Sequence, residues 1–181
     1  MMGSFAIILF TMCWVLGAVF DPDWVYGANM VSDLGVSEDP VVSSLFMIGC
    51  IGGGVLFSLF GIFAWKSVNK IPEGLPYILC IPAGICLVMI GIFDENTAPH
   101  VPFAYALMVL ALVAILISIV MEHRKGSRFM PALYIILLVL SGVSLFVSKA
   151  FGEANAIASL LIWVFTICTP VDELMNYLVK R

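Results

Sequence analysis

Few side chains in this sequence can do chemistry, and most of them stand at the edges of long apolar runs. The stretch ANMVSDLGVSEDP carries Ser32 and Asp33, then Glu38 and Asp39, with no basic residue among them. The stretch GIFDENTAPH carries Asp94, Glu95 and His100. Lys149 stands alone further on, and TPVDELMNYL near the C-terminus carries Asp172, Glu173 and Asn176. General acid–base work needs a group that titrates near neutrality, and His100 beside Asp94 or Glu95 could supply one. No G-x-S-x-G accompanies them, so no nucleophile is assigned. Ser32, Asp33, Asp94, Glu95, His100 and Lys149 also suit the binding of a polar head group. Lys149 is their natural counter-charge, and a Lys149–Asp33 or Lys149–Asp94 ion pair is expected. Oxygen ligands suit hard cations, but with 2 histidines in the chain a histidine-based zinc site is excluded, and no metal is assigned. Ser32 and Asp33 are expected to bond backbone amides and shape their loop, with Gly35 supplying an unusual backbone angle. Asp172 and Asn176, four residues apart, share a helix face and with Glu173 form a second polar site. Nucleotide loops, cofactor fingerprints and nucleic-acid patches are missing from the sequence, so neither a cofactor nor a nucleic-acid partner is expected.

These residues need a scaffold, and composition says which kind. The chain of 181 residues is 62% hydrophobic and 11% charged, with a mean hydropathy of +1.13. Soluble domains are roughly 45–50% apolar and about 25% charged, so this is a membrane protein. The apolar runs are six: Gly3–Phe20, Val41–Trp65, Leu75–Phe93, Pro102–Met121, Pro131–Ser148 and Ala154–Leu178. Each can cross a hydrocarbon layer of about 30 Å at about 1.5 Å per residue. The runs are apolar all round rather than alternating, which excludes a β-barrel, and helices satisfy their own backbone in lipid. The expected fold is all-α, a single polytopic transmembrane bundle of six helices over 1–181, with short loops that leave no room for a second domain. The first run lacks a positive leading segment and a small-residue cleavage site, and reads as an uncleaved span.

Charge sets the expected orientation. Lys66, Lys70, Arg124, Lys125, Arg128, Lys180 and Arg181 fall on one side, and Lys149 alone among the 8 basic residues falls on the other. The second side holds Asp21, Asp23, Asp33, Glu38, Asp39, Asp94, Glu95 and Glu153. The positive-inside rule puts the first side, and both termini, in the cytoplasm. Asp39-Pro40 should start the second helix, and Pro82 and Pro170 should kink theirs. Trp24 and Tyr26 read as interfacial aromatics. Gly49 and Gly53, four residues apart, permit close helix approach; they suit packing within the bundle, and they are also the candidate face for a homo-oligomer. The cysteines, 5 in all and without a C-x-x-C pair, support neither a disulfide framework nor a zinc ribbon.

Two segments carry a resemblance. VSDLGVSEDPVVSSLFMIGCIGGG resembles the S-[DE]-L-G segment entering the second span of the domain of unknown function 998 family, prokaryotic membrane proteins with six spans. GIFDENTAPHVPFAYALM is similar to that family's third connection, Gly-aliphatic-Phe-Pro-Glu followed by a short loop and a His. The resemblance implies that Ser32, Asp33, Leu34 and Gly35 form the first motif, and Gly91, Phe93, Glu95 and His100 the second. Asp94 departs from it, standing where the family often has Pro. A fainter similarity of layout connects the chain to the Frag1/DRAM/Sfk1 group, which is linked to lipid handling. The resemblance implies a multi-pass protein of a prokaryotic cytoplasmic membrane.

The sequence therefore leads to an integral membrane protein that binds or modifies a membrane lipid at an outward-facing polar cleft of Asp33, Asp94, Glu95, His100 and Lys149. A small transporter or channel is the first alternative, and a non-catalytic membrane scaffold the second. The transporter reading requires a polar path from the outer cluster to Asp172 and Glu173, yet no ionisable residue falls in the middle of a span, where ion and proton sites usually lie.

Overall fold

The computed structural model describes residues 2–168. Apart from one isolated bridge between Tyr26 and Asn29, all regular structure among them is helical. The helices are α1 (Met2–Phe20), α2 (Pro40–Ser67), α3 (Ile71–Ile92), α4 (His100–Arg124), α5 (Phe129–Leu145) and α6 (Lys149–Cys168), with a short 3-10 turn at Ser32–Val36. Five of the helices are long and apolar enough to cross a membrane, and α5, with 17 residues, falls just short. Large apolar side chains cover their outer faces, for example Phe5, Val19, Tyr105, Ile136 and Val143. Such a surface is stable only in contact with lipid or another apolar phase, and the chain is an integral membrane protein.

The helix ends follow local chemistry. Asp39 caps α2, its carboxylate accepting the Val41 N–H at 2.8 Å, and Pro40 follows at the first helical position. Both are as expected, since the cap supplies an acceptor and proline needs none. Helix α3 starts earlier than the apolar run, at Ile71, and carries Pro76 as well as Pro82 inside it. The fifth connection also differs. Helix α5 stops at Leu145, and Ser148 then caps α6 by accepting the Phe151 N–H at 2.9 Å. Lys149 consequently opens α6 instead of closing α5, and Glu153 lies inside α6.

Each helix packs on its chain neighbours, and α6 returns to α1, so the bundle closes on itself. The tightest seam joins α2 to α3. A Cβ added at Gly54 would stand 2.5 Å from the Gly84 carbonyl oxygen, so only hydrogen fits there. Gly49 and Gly53 are buried on another face of α2, where a Cβ would meet Cys13 at 2.7 Å and Phe10 at 3.2 Å. The close approach they permit in this structure is intramolecular, against α1. Cys13, Cys50, Cys80 and Cys86 are buried free thiols, small residues of the packing. The second polar site, Asp172, Glu173 and Asn176, and the kink expected at Pro170 lie outside the described residues.

Candidate functional site

Antiparallel neighbours bring the loop between α1 and α2, the loop between α3 and α4, and the α5–α6 junction to one end of the bundle. This is the acidic end. The first of these loops, residues 21–39, is tied down by its own polar groups. Trp24 Nε1 donates to the Met30 carbonyl at 2.8 Å, the Val25 N–H to Asn29 Oδ1 at 3.0 Å, and Ser37 Oγ to Asp21 Oδ2 at 2.7 Å. The Ser-Asp-Leu-Gly motif coils into the 3-10 turn, in which Asp33 Oδ2 accepts the Met30 N–H at 2.8 Å. Leu34, with no exposed surface, plugs the bundle end among Phe10, Val42, Phe46 and Ile90. Gly35 has no positive φ, contrary to expectation; the glycine with φ +82° is Gly27. Gly35 is needed for space, because a Cβ there would approach Phe46 Cδ1 to 2.9 Å.

Helix α6 holds this loop from the far end of the sequence. The Val31 N–H donates to Glu153 Oε2 at 3.1 Å. Ser148 Oγ donates to the Gly27 carbonyl at 2.9 Å, and Tyr26 sets its ring edge-on to Phe151 with centroids 5.7 Å apart. Val31 itself is 1% exposed, so its amide has little access to water and needs the carboxylate.

The loop between α3 and α4 supplies the other half. Asp94 is exposed and spends itself on the turn: Oδ1 accepts the Asn96 N–H at 3.1 Å, and its carbonyl accepts Thr97 N–H and Oγ1 at 3.0 and 2.7 Å. That turn delivers His100, 3% exposed, to the first residue of α4. His100 Nδ1 lies 2.8 Å from the Phe93 carbonyl oxygen. A carbonyl only accepts, so Nδ1 carries a proton, and in the neutral ring Nε2 is left as the acceptor. Among the described residues no side chain or backbone group bonds Nε2.

Glu95 turns inward, its carboxyl meeting those of Asp33 and the hydroxyl of Ser32. Burial first, and then the hydrogen-bonding and charge of Asp33, push the Glu95 carboxyl above the usual carboxylate range, against Ser32 and His100, which favour its charged form. Glu95 Oε2 is buried without a donor.

Of the six site residues read from the sequence, Ser32, Asp33, Glu95 and His100 come together. Asp94 faces solvent, and Lys149 is exposed and forms neither expected ion pair. The ion pairs among the described residues are Lys70–Glu73 and Lys125–Glu122, both at the opposite end. Lys149 fails because it stands at the exposed start of α6. The acid one turn further along takes its place in the cluster: Glu153, which sequence reasoning counted only among acids of that side. A signal for it was present. Glu153, Ile157, Leu160, Leu161 and Val164 follow the spacing of one buried helix face, and an acid heading such a face is not simply solvated.

Beneath the loop lies a cavity of about 100 Å³, between α1, α2, α3, α4 and α6. Its walls are apolar, with Phe10, Phe57, Leu87, Leu107 and Leu161 among them. Its hydrogen-bonding side chains are Ser32, His100 and Glu153, all at the acidic end. Met108 of α4, which also lines it, is 39% exposed. An apolar lining with a few convergent polar groups is the pattern of small-molecule sites. No three His, Cys, Asp or Glu side chains among the described residues are gathered closely enough to hold a metal ion.

A family model described as "Protein of unknown function (DUF998)" matches residues 4–171, nearly the whole chain. No curated protein matches the sequence, and no solved structure does.

Proposed function

The chain belongs to the DUF998 family of proteins of unknown function, and on that premise we propose that it is a membrane protein that binds an amphiphile inside its bundle. The end of the apolar tail nearest the head enters the cavity, and the polar head meets Ser32, His100 and Glu153 under the loop of residues 21–39. The observation that carries this reading is the cavity's division into a long apolar wall and one polar end. A uniformly apolar void would give an amphiphile no preferred orientation, and a polar channel would repel its tail. The charge asymmetry of the loops supports an orientation with the polar end at the outer leaflet, and the membrane proposed is a prokaryotic cytoplasmic one. The site offers two adjacent carboxyl groups and an imidazole beside the head group, and binding requires nothing more of them.

Photo-crosslinking tests this. Purified protein in nanodiscs is exposed to a long-chain lipid carrying a photoactivatable group in its tail, and labelled residues are mapped by mass spectrometry. Labels on cavity residues such as Leu107 and Leu161, abolished by the filling substitution Ala104→Phe, support the reading. Labels confined to outer-face residues such as Val109 and Ile136 would sink it.

A further inference from the structure

The polar end of the cavity has a character that narrows the ligand. Its groups are acceptors, or acids next to acceptors. Glu153 lines the cavity and is acceptor-only when ionised. His100 lines the cavity and has committed Nδ1 to the Phe93 carbonyl, which leaves Nε2 as the unengaged nitrogen, among the described residues, of a ring that is 3% exposed. Asp33 and Glu95 stand directly behind Ser32 and add negative charge. No cation offsets them: Lys149 is exposed, and the other basic side chains of the described residues, Lys66, Lys70, Arg124, Lys125 and Arg128, belong to the opposite end. An anionic head, phosphate or carboxylate, would enter an end already negative and find no cation, and like charges so placed repel strongly in a low-dielectric site. A hydroxyl or an ammonium head would instead donate to His100 Nε2 and to the Glu153 carboxylate.

We infer that the site selects an amphiphile whose head group donates hydrogen bonds and carries no negative charge, a long-chain alcohol or amine, and excludes phosphate- and carboxylate-headed lipids. The inference rests on the amphiphile reading above and adds the chemical class of its head. It sets this site apart from those that hold lipid phosphates through arginine and lysine.

The test is competition against the tail-labelled photoprobe in nanodiscs of uncharged lipid, using hexadecanol, hexadecylamine and hexadecyl phosphate. The three share one tail, so differences report the head alone. Hexadecanol and hexadecylamine should displace the probe from the cavity, and hexadecyl phosphate should be weaker by about tenfold or more. The variant Glu153→Gln keeps an amide oxygen for the Val31 N–H and removes the charge, so it should fold and should narrow the gap between phosphate and alcohol. Equal competition by phosphate and alcohol in the wild-type protein would overturn the inference and leave the amphiphile reading standing. An unchanged gap in Glu153→Gln would overturn the role given to Glu153. No cavity labelling by the probe at all would refute the underlying reading instead.

Discussion

Replacing Glu153 by alanine should loosen a loop that lies 122 residues away in sequence. The Val31 amide donates to Glu153 Oε2 at 3.1 Å, and Val31 is 1% exposed. In Glu153→Ala the amide stays buried and loses its acceptor, because Leu34 and Val31 remain packed in the bundle end. A buried donor stripped of its partner costs about 1–3 kcal/mol, equivalent to a factor of about 5–150 in the local opening equilibrium. Hydrogen exchange of the purified protein in nanodiscs, followed by mass spectrometry on peptides covering residues 24–37, reads that equilibrium directly. Exchange in this segment should accelerate by about that factor, while α2–α3 peptides stay unchanged. Glu153→Gln is the decisive companion: its amide oxygen still accepts, so the loop should keep most of its protection. Wild-type exchange in Glu153→Ala would refute the reasoning, for the bond would then contribute nothing. Equal acceleration in both variants would show that the charge of Glu153, and not its acceptor oxygen, holds the loop.

Three further outcomes can be checked. Leu34→Ala removes a side chain with no exposed surface and should cost about 2–5 kcal/mol, read as a lower thermal midpoint in detergent; an unchanged midpoint would show that the plug is dispensable. Gly54→Ala puts a Cβ 2.5 Å from the Gly84 carbonyl, and should destabilise by about 1–3 kcal/mol, whereas Gly142→Ala, with nothing within 4 Å of its Cβ, should leave the midpoint level or raised; equal behaviour of the two would contradict the seam. The Glu95 carboxyl is raised from 4.5 by burial and by Asp33, so the native state binds a proton that the unfolded state has released. Its contribution is fully present below 4.5 and is lost as pH rises through the folded value. Thermal midpoints measured upward from pH 4.5 should therefore decline in the wild type, and Glu95→Gln, whose amide can donate to Asp33 at any pH, should flatten that decline; parallel slopes would remove the carboxyl pair from the account.

The polar end of the cavity and the groups behind it are built from few residues. Ser32, Asp33, Glu95, His100 and Glu153 come from three segments separated by apolar helices, and the helices serve as spacers that fix their depth. Leu34 and Gly35 add no polar side chain. They seat the turn, one by filling the bundle end and the other by letting Phe46 approach, and so the motif Ser-Asp-Leu-Gly has a physical reason at each of its positions.

Read alone, the sequence determined the class, the helices and the ends. Hydropathy is a sum over neighbours along the chain, and lipid admits few backbone solutions, so six helices and their short loops followed from composition and run length. The capping of α2 by Asp39 and the meeting of Ser32, Asp33, Glu95 and His100 at one end followed as well, since alternate loops of such a bundle must share an end. The tertiary structure alone decided which acids turn inward. Lys149 and Glu153 are one helical turn apart on the same side of α6, yet Lys149 stands at the exposed start of the helix and Glu153, a turn deeper, reaches Val31, because the start of α6 at Ser148 sets the depth of every later residue. Likewise Asp94 and Glu95 are adjacent, and the turn built by Asp94 sends only Glu95 inward. Such choices depend on helix depth and on contacts between distant segments, and neither is a property of local sequence.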